Sequence, residues 1–233
     1  MKYLFVFAHP DDETFSSGGT IALLSKARNT VSLICATRGE AGELGTPPIA
    51  TKENIGEIRE SELRNASRII GIGTIHFLEY IDATLKKVSQ KELSAKIFTL
   101  FKKEQPDVVI TFDESGGSNH PDHIAMSHAT SIAFDGYLKI TTKTVKLYHT
   151  AIPKSYLAQY ANTKLEYKAF GKIHGVDDER ITTIVDISKT YEDKLKASAC
   201  HRTQNKDWNR FLERAKVMDL KKEFFRLVKE NNL

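Results

Sequence analysis

Residues 3–13 read Tyr3-Leu4-Phe5-Val6-Phe7-Ala8-His9-Pro10-Asp11-Asp12-Glu13. The run Tyr3–Phe7 is aromatic and β-branched, which predicts a short buried strand, and Ser16–Arg28 after it has the apolar spacing of a helix. The same unit recurs downstream. Strand-like runs fall at Val31–Ala36, Thr74–Leu78, Val108–Phe112, Val145–His149 and Thr182–Asp186, with helix-like stretches at Asn54–Ile70, Gln90–Gln105 and Pro121–Phe134. Alternation of this kind implies right-handed crossovers and a buried parallel sheet. The expected fold is therefore α/β: Rossmann-like, with a mostly parallel central sheet and helices on both faces. Beyond Asp186 the chain reads as two helices, about Lys189–His201 and Trp208–Asn231. No repeat or Pro/Gly/Ser-rich linker interrupts it, so residues 1–233 are expected to form a single domain.

Composition narrows the function classes. The 34 basic and 30 acidic residues are interspersed, so the formal charge of +4 does not create a nucleic-acid face. The basic C-terminal stretch of Lys216, Lys221, Lys222, Arg226 and Lys229 is broken by acidic residues and has few aromatics, and it reads as a solvated helix face. Two cysteines are too few for a disulfide framework, which points to a reducing compartment. The apolar run before His9 is too short for a signal-peptide core or a membrane span, and no later segment is long enough. The expectation is a cytoplasmic protein with a small-molecule substrate, with no nucleic-acid partner and no integral membrane segment. The sequence leaves room for a homo-oligomer.

In open parallel sheets the ligand crevice lies beyond the carboxyl ends of the strands. Three such ends carry reactive residues: Ala8-His9-Pro10-Asp11-Asp12-Glu13, Thr37-Arg38-Gly39-Glu40-Ala41-Gly42, and the loop ending in His120-Pro121-Asp122-His123. A catalytic zinc site takes three His or carboxylate ligands and keeps one position open. His9, Asp12 and His123 supply that set, giving one Zn²⁺ per chain. Pro10 restricts His9 to extended geometry and so helps fix the turn between the first two ligands. The same ligand types also hold non-haem iron, and zinc is preferred because the chemistry is hydrolytic. Either motif alone reads as a helix cap or a buried histidine; together in one crevice they read as a metal site.

Asp11, Asp122 and His120 are then left over. Zinc acidifies bound water and polarises a carbonyl, while a neighbouring carboxylate outside the ligand set can accept the proton. Asp11 and Glu13 both suit that base role. His120, oriented by Asp122, suits the oxyanion or the leaving amine.

Ala8–Glu13 together with His120–His123 resembles the two signature motifs of the LmbE-like (PIG-L) de-N-acetylase family. Thr37–Gly42, Ile58-Arg59-Glu60-Ser61-Glu62-Leu63, Pro106-Asp107-Val108-Val109 and His201-Arg202-Thr203-Gln204 are similar to further family positions in the same order, covering most of the chain. The resemblance implies zinc-dependent hydrolysis of the N-acetyl group of an N-acetylglucosamine-type conjugate, releasing acetate and a free amine. It implies Asp11 as base, His120 at the oxyanion or leaving group, and Arg59 and Asp82 as substrate-binding residues. Arg38 and Glu40 would order their loop. Some relatives carry a tyrosine two residues before the first histidine of the second motif, where this chain has Ser118. Segments Leu44–Thr51 and Ser155–Val176 are the places where an aglycone would be read.

Three other readings are weaker. Gly18-Gly19 and Gly71-Ile72-Gly73 offer glycine for a nucleotide-binding protein, but no G-x-G-x-x-G follows the first strand. A metal-holding module without catalysis is opposed by the presence of Asp11. A phosphoesterase usually holds two metals, and this ligand count supports one.

Overall fold

A computed structural model describes residues 1–161 and 175–231. Its centre is a seven-stranded sheet in the order β3-β2-β1-β4-β5-β7-β6. Strands β1 (Lys2–Phe7), β2 (Thr30–Thr37), β3 (Thr74–Tyr80), β4 (Val108–Thr111) and β5 (Lys146–Thr150) are parallel to their neighbours within that block. Strand β7 (Lys222–Glu230) runs antiparallel to both β5 and β6 (Thr183–Asp186). The α/β class expected from the alternation is the one observed.

β1 is a continuous apolar run because it is covered on both faces, and Leu4, Phe5, Val6 and Phe7 have no exposed surface. Burial on that scale contributes about 1.5–3 kcal/mol per large side chain. Helices α1 (Asp12–Lys26), α2 (Ile55–Ile70), α3 (Gln90–Glu104) and α4 (Pro121–Leu138) are the crossovers. α1 begins at Asp12, four residues before the predicted start, which puts two acidic side chains in its first turn where the helix dipole favours them. The glycines weighed for nucleotide binding have structural roles. A Cβ on Gly19 would overlap Ile187, and Gly71 caps α2 at φ 81°.

The C-terminal part departs from expectation. Instead of a helix over Trp208–Asn231, α7 (Asn205–Ala215) ends and the chain returns as β7, inserted between β5 and β6. The helix expected over Lys189–His201 is the shorter α6 (Tyr191–Ser198). In β7 the charged residues break the visible alternation: Glu223 and Arg226 are buried, each against an opposite charge. The basic stretch is accordingly no helix face. α5 (Lys154–Ala161) opens the segment Ser155–Val176, most of which lies outside the described residues. No described helix is long and apolar enough to cross a membrane.

Candidate active site

The order 3-2-1 then 4-5 places a topological switch point between β1 and β4, and the ligand crevice opens there. β1 delivers His9 directly. The turn that follows holds Asp11 at φ 110°, a left-handed conformation that strains a side-chain-bearing residue. After β4, the Asp113 carboxylate accepts the backbone N–H groups of Ser115 and Gly117 and folds the loop. His120 then caps α4 with Pro121 at the first helical position, and His123 sits in the first turn.

His9, Asp12 and His123 converge. His9 Nδ1 lies 3.2 Å from His123 Nε2 and 3.6 Å from Asp12 Oδ2, and His123 Nε2 lies 3.2 Å from Asp12 Oδ1. Ligand atoms bound at about 2.0–2.1 Å around a tetrahedral ion stand roughly 3.3 Å apart. The histidine tautomers suit the same purpose. His123 Nδ1 is 3.0 Å from the Gly116 carbonyl, an acceptor only, so this nitrogen carries the proton and Nε2 is left as a lone pair. Phe112 stacks on the His123 ring at 4.1 Å and fixes its plane. His9 Nε2 faces Asp82 Oδ1 at 2.9 Å, which leaves Nδ1 turned towards Asp12 and His123. Two overlapping groups also bring potential ligand atoms together, His9 with His120 and His123, and His9 with Asp82 and Asp122. The donor set therefore fits a divalent metal, and His9 belongs to every version of it.

Charge is strongly polarised here. Burial disfavours ionised Asp12, yet His123 and His9 hold its carboxyl well below the usual range. Burial also opposes a charged His9, but Asp12, Asp122 and Asp82 carry its pKa well above the ordinary value. Asp11 differs from Asp12 next to it: burial pushes it up to about 7, with Arg59 working in the opposite direction.

A buried framework holds Asp11. Its N–H donates to Glu13 Oε2 at 3.0 Å, and Glu13 Oε1 lies 2.9 Å from His201 Nε2. Glu13 and His201 are both inaccessible to solvent. Glu13, which the sequence left open as a base, thus has both oxygens engaged away from the cavity. Arg59 is buried as well; its guanidinium donates to the Pro10 carbonyl at 2.6 Å, to Asp11 Oδ2 at 3.3 Å and to the Gly39 carbonyl at 2.9 Å. A Cβ on Gly39 or Gly42 would overlap that guanidinium, which accounts for glycine at both positions of the Arg38–Gly42 motif. Asp82 accepts the Ala41 N–H at 3.2 Å, and its own N–H donates to Glu40 at 3.1 Å. His9 and Arg59 depress its pKa to about 2 against the effect of burial.

Asp122 differs from its expected role. Its backbone N–H, not its carboxylate, contacts His120, donating to Nδ1 at 3.2 Å. The buried carboxylate instead lies 3.5 Å from His9 Nε2, with neither oxygen in a hydrogen bond among the described residues. Nor is His120 held protonated: burial, then His123 and His9, push its pKa down to about 4. The cap fixes its tautomer, because Nδ1 accepts and the proton resides on Nε2.

All eight residues singled out from sequence, His9, Asp11, Asp12, Arg59, Asp82, His120, Asp122 and His123, line one cavity of about 500 Å³. Lys86, Arg210, Arg214 and Ser118 line the same cavity. The roles of Glu13 and His201 were not visible in the sequence. Nor was that of Glu62, whose carboxylate accepts the N–H and hydroxyl of Thr203 at 2.9 and 2.6 Å. The one signal was the late His201–Gln204 stretch.

The family model described as "PIG-L: GlcNAc-PI de-N-acetylase" matches residues 4–134. The chain is 32% identical to a 1D-myo-inositol 2-acetamido-2-deoxy-alpha-D-glucopyranoside deacetylase of Acidothermus cellulolyticus, over 86% of this chain and 78% of that protein. It is 31% identical to a probable N-acetyl-alpha-D-glucosaminyl L-malate deacetylase 2 of Bacillus anthracis, over 82% of this chain and 86% of that one. The fold matches that of N,N'-diacetylchitobiose deacetylase from Pyrococcus horikoshii with a TM-score of 0.70 at 24% identity, covering 97% and 83% of the two chains.

Proposed function

The chain belongs to the PIG-L (GlcNAc-PI de-N-acetylase) family, and from that premise we propose that it is a zinc-dependent hydrolase that removes the N-acetyl group from an N-acetylglucosamine-type conjugate. The observation that carries the reading is the convergence of His9 Nδ1, Asp12 and His123 Nε2 at 3.2–3.6 Å, with Asp11 lining the same cavity outside the set. We assign the zinc to these three residues, one ion per chain. His120 is a poorer ligand because the Asp122 N–H already occupies its Nδ1, and Asp82 faces the opposite nitrogen of His9. When bound, the ion supplies Lewis acidity to the attacking water and to the amide carbonyl.

The chain's own residues do the proton work. Asp11 accepts a proton from water as the oxygen attacks the acetyl carbon; its pKa of about 7 suits a base that must later release that proton. His120 is neutral and donates from Nε2 to the oxygen that gains charge, so it acts as an oxyanion donor and not as an imidazolium acid. When the C–N bond breaks, Asp11 returns its proton to the departing amine nitrogen, leaving acetate and a free amino sugar. Arg59 and Asp82 line the cavity wall, but their polar atoms are largely engaged with the Asp11 loop and with His9. We therefore assign them a positioning role, Arg59 holding Asp11 and Asp82 holding His9. The Asp122 carboxylate joins Asp82 in facing His9.

The test is acetate release from N-acetylglucosamine, its inositol and malate conjugates and N,N'-diacetylchitobiose, with elemental analysis of the same preparation. The expected result is about one equivalent of zinc per chain and acetate release abolished by chelation. Turnover undiminished in chelator, or two tightly held ions, would remove the mononuclear assignment.

A further inference from the structure

A second cavity, of about 290 Å³, adjoins the catalytic one. The two share a border formed by Asp12, Phe15, Ser118, His123 and Arg214. Their walls differ in the side chains they present. Asp11, Arg59, Asp82 and His120 face only the first, whereas the second is walled by Phe15, Phe112, Ile152, Leu157, Phe211 and Met218. Of the charged side chains that also line it, Lys194 and Glu223 are spent on each other, Lys194 Nζ donating to Glu223 Oε1 at 2.6 Å with both side chains buried, and Asp12, Arg214 and Lys222 complete the set. A largely apolar chamber bordered by two of the assigned metal ligands suits an alkyl chain better than a sugar's hydroxyls.

Resting on the deacylase reading above, we propose that the second cavity is an acyl site, and that the enzyme hydrolyses N-acyl amino sugars whose acyl chain is longer than acetyl. The scissile carbonyl carbon has to lie against the ligand set and within reach of Asp11. Its nitrogen carries the polyol and belongs in the polar cavity. Its alkyl side then points across the Asp12–His123 border into the apolar one. An acetyl methyl leaves almost all of a space of about 290 Å³ unfilled, when a water molecule takes only ~30 Å³. The reaction balances as for acetyl: water's oxygen bonds to the acyl carbon, the C–N bond breaks, and a fatty carboxylate and a free amine leave.

Two measurements test this. The first compares kcat/KM for N-acetyl-, N-butanoyl- and N-hexanoylglucosamine and for the octyl glycoside of N-acetylglucosamine. The second is calorimetric binding of acetate and hexanoate to the zinc-loaded protein, which does not depend on turnover. The hexanoyl substrate should exceed the acetyl one by at least ~10-fold, and hexanoate should bind at least ~10-fold more tightly than acetate, as methylenes in an apolar pocket predict. Ala151 lines only the second cavity. Ala151→Phe should erase both preferences and leave acetyl turnover unchanged; Leu157→Trp serves the same purpose should the first variant not fold. Acetyl turnover with hexanoyl at 1% or less overturns the proposal. A gain confined to the octyl glycoside also overturns it, because the cavity would then hold the aglycone. Release of no acyl group from any substrate removes the deacylase reading and the acyl site with it, a pattern distinct from acetyl-only activity.

Discussion

Strands β1, β2 and β4 are apolar through most of their length, and the ionisable groups that line the catalytic cavity sit beyond the strand ends or on helices. β7 instead carries charge inside the strand, with Glu223 and Arg226 both buried. Beyond the ends of β1 and β4, ionisable groups converge on one cavity and stay within reach of a ligand. In the antiparallel half they are consumed in pairs, Glu223 by Lys194 and Arg226 by Glu114. Buried charge therefore serves chemistry at the β1–β4 cavity and cohesion around β7, and substitutions should separate the two.

The largest effects belong to the parallel edge. Asp12→Ala should lose bound metal and activity together, whereas Asp11→Ala should keep its metal and lose about 10²–10⁴ in kcat. Metal content and acetate release on the same samples decide it. A metal-free Asp11→Ala beside a metal-loaded Asp12→Ala would exchange the two roles.

Next comes the antiparallel half. Lys194→Met strands the Glu223 carboxylate, which is 3% exposed and also accepts the Gly19 and Thr20 N–H groups. Removing one member of such a pair costs about 3–5 kcal/mol. Denaturant unfolding should show that loss while kcat for acetyl release in the folded protein stays close to wild type. A large fall in kcat without loss of stability would break the proposed division.

That division also explains what the sequence made legible. The parallel half could be read because its strands are covered on both faces, so Tyr3–Phe7 and Val31–Ala36 stand out as apolar runs. His9, Asp12 and His123 could be read because chemistry concentrates at strand ends. β7 could not, because Glu223 and Arg226 are buried by pairing with residues far away in the chain and so resemble the polar face of a helix. Glu13 and His201 escaped for the same reason: 188 positions separate them, and only the fold brings their side chains to 2.9 Å. His120 was read correctly as part of the cavity, but the sequence did not show its neutrality, since that follows from burial first and then from the approach of His123 and His9.

A smaller effect concerns pH. A histidine must be neutral to serve as a ligand, and His9, against the effect of burial, has its pKa raised well above 6.5 by Asp12, Asp122 and Asp82. Protons therefore compete with metal across the neutral range. Zinc affinity measured by titration should weaken as pH falls from 8 to 6, by about tenfold per unit for each proton displaced. An affinity flat over that interval would mean that His9 is already neutral there. The smallest effect is expected at the outer edge of the antiparallel half: Ile184 is 59% exposed on β6, and Ile184→Thr should change stability by no more than about 0.5 kcal/mol.

The placement of β7 bears on how the molecule is made. In the sheet order, β6 has β7 as its only neighbour among the described residues, and β7 is the later of the two in the chain. During vectorial synthesis β6 therefore emerges with no partner strand and waits, its edge open, until residues 222–230 slide in between it and β5. Domains that close through such distant pairings fold slowly and expose strand edges meanwhile. Glu223 enters on that same strand to engage Lys194 and the middle of α1, the helix that begins at Asp12. A nascent chain can thus have every residue of its catalytic cavity already outside the ribosome and still lack the strand that braces the helix carrying two of them, Asp12 and Phe15.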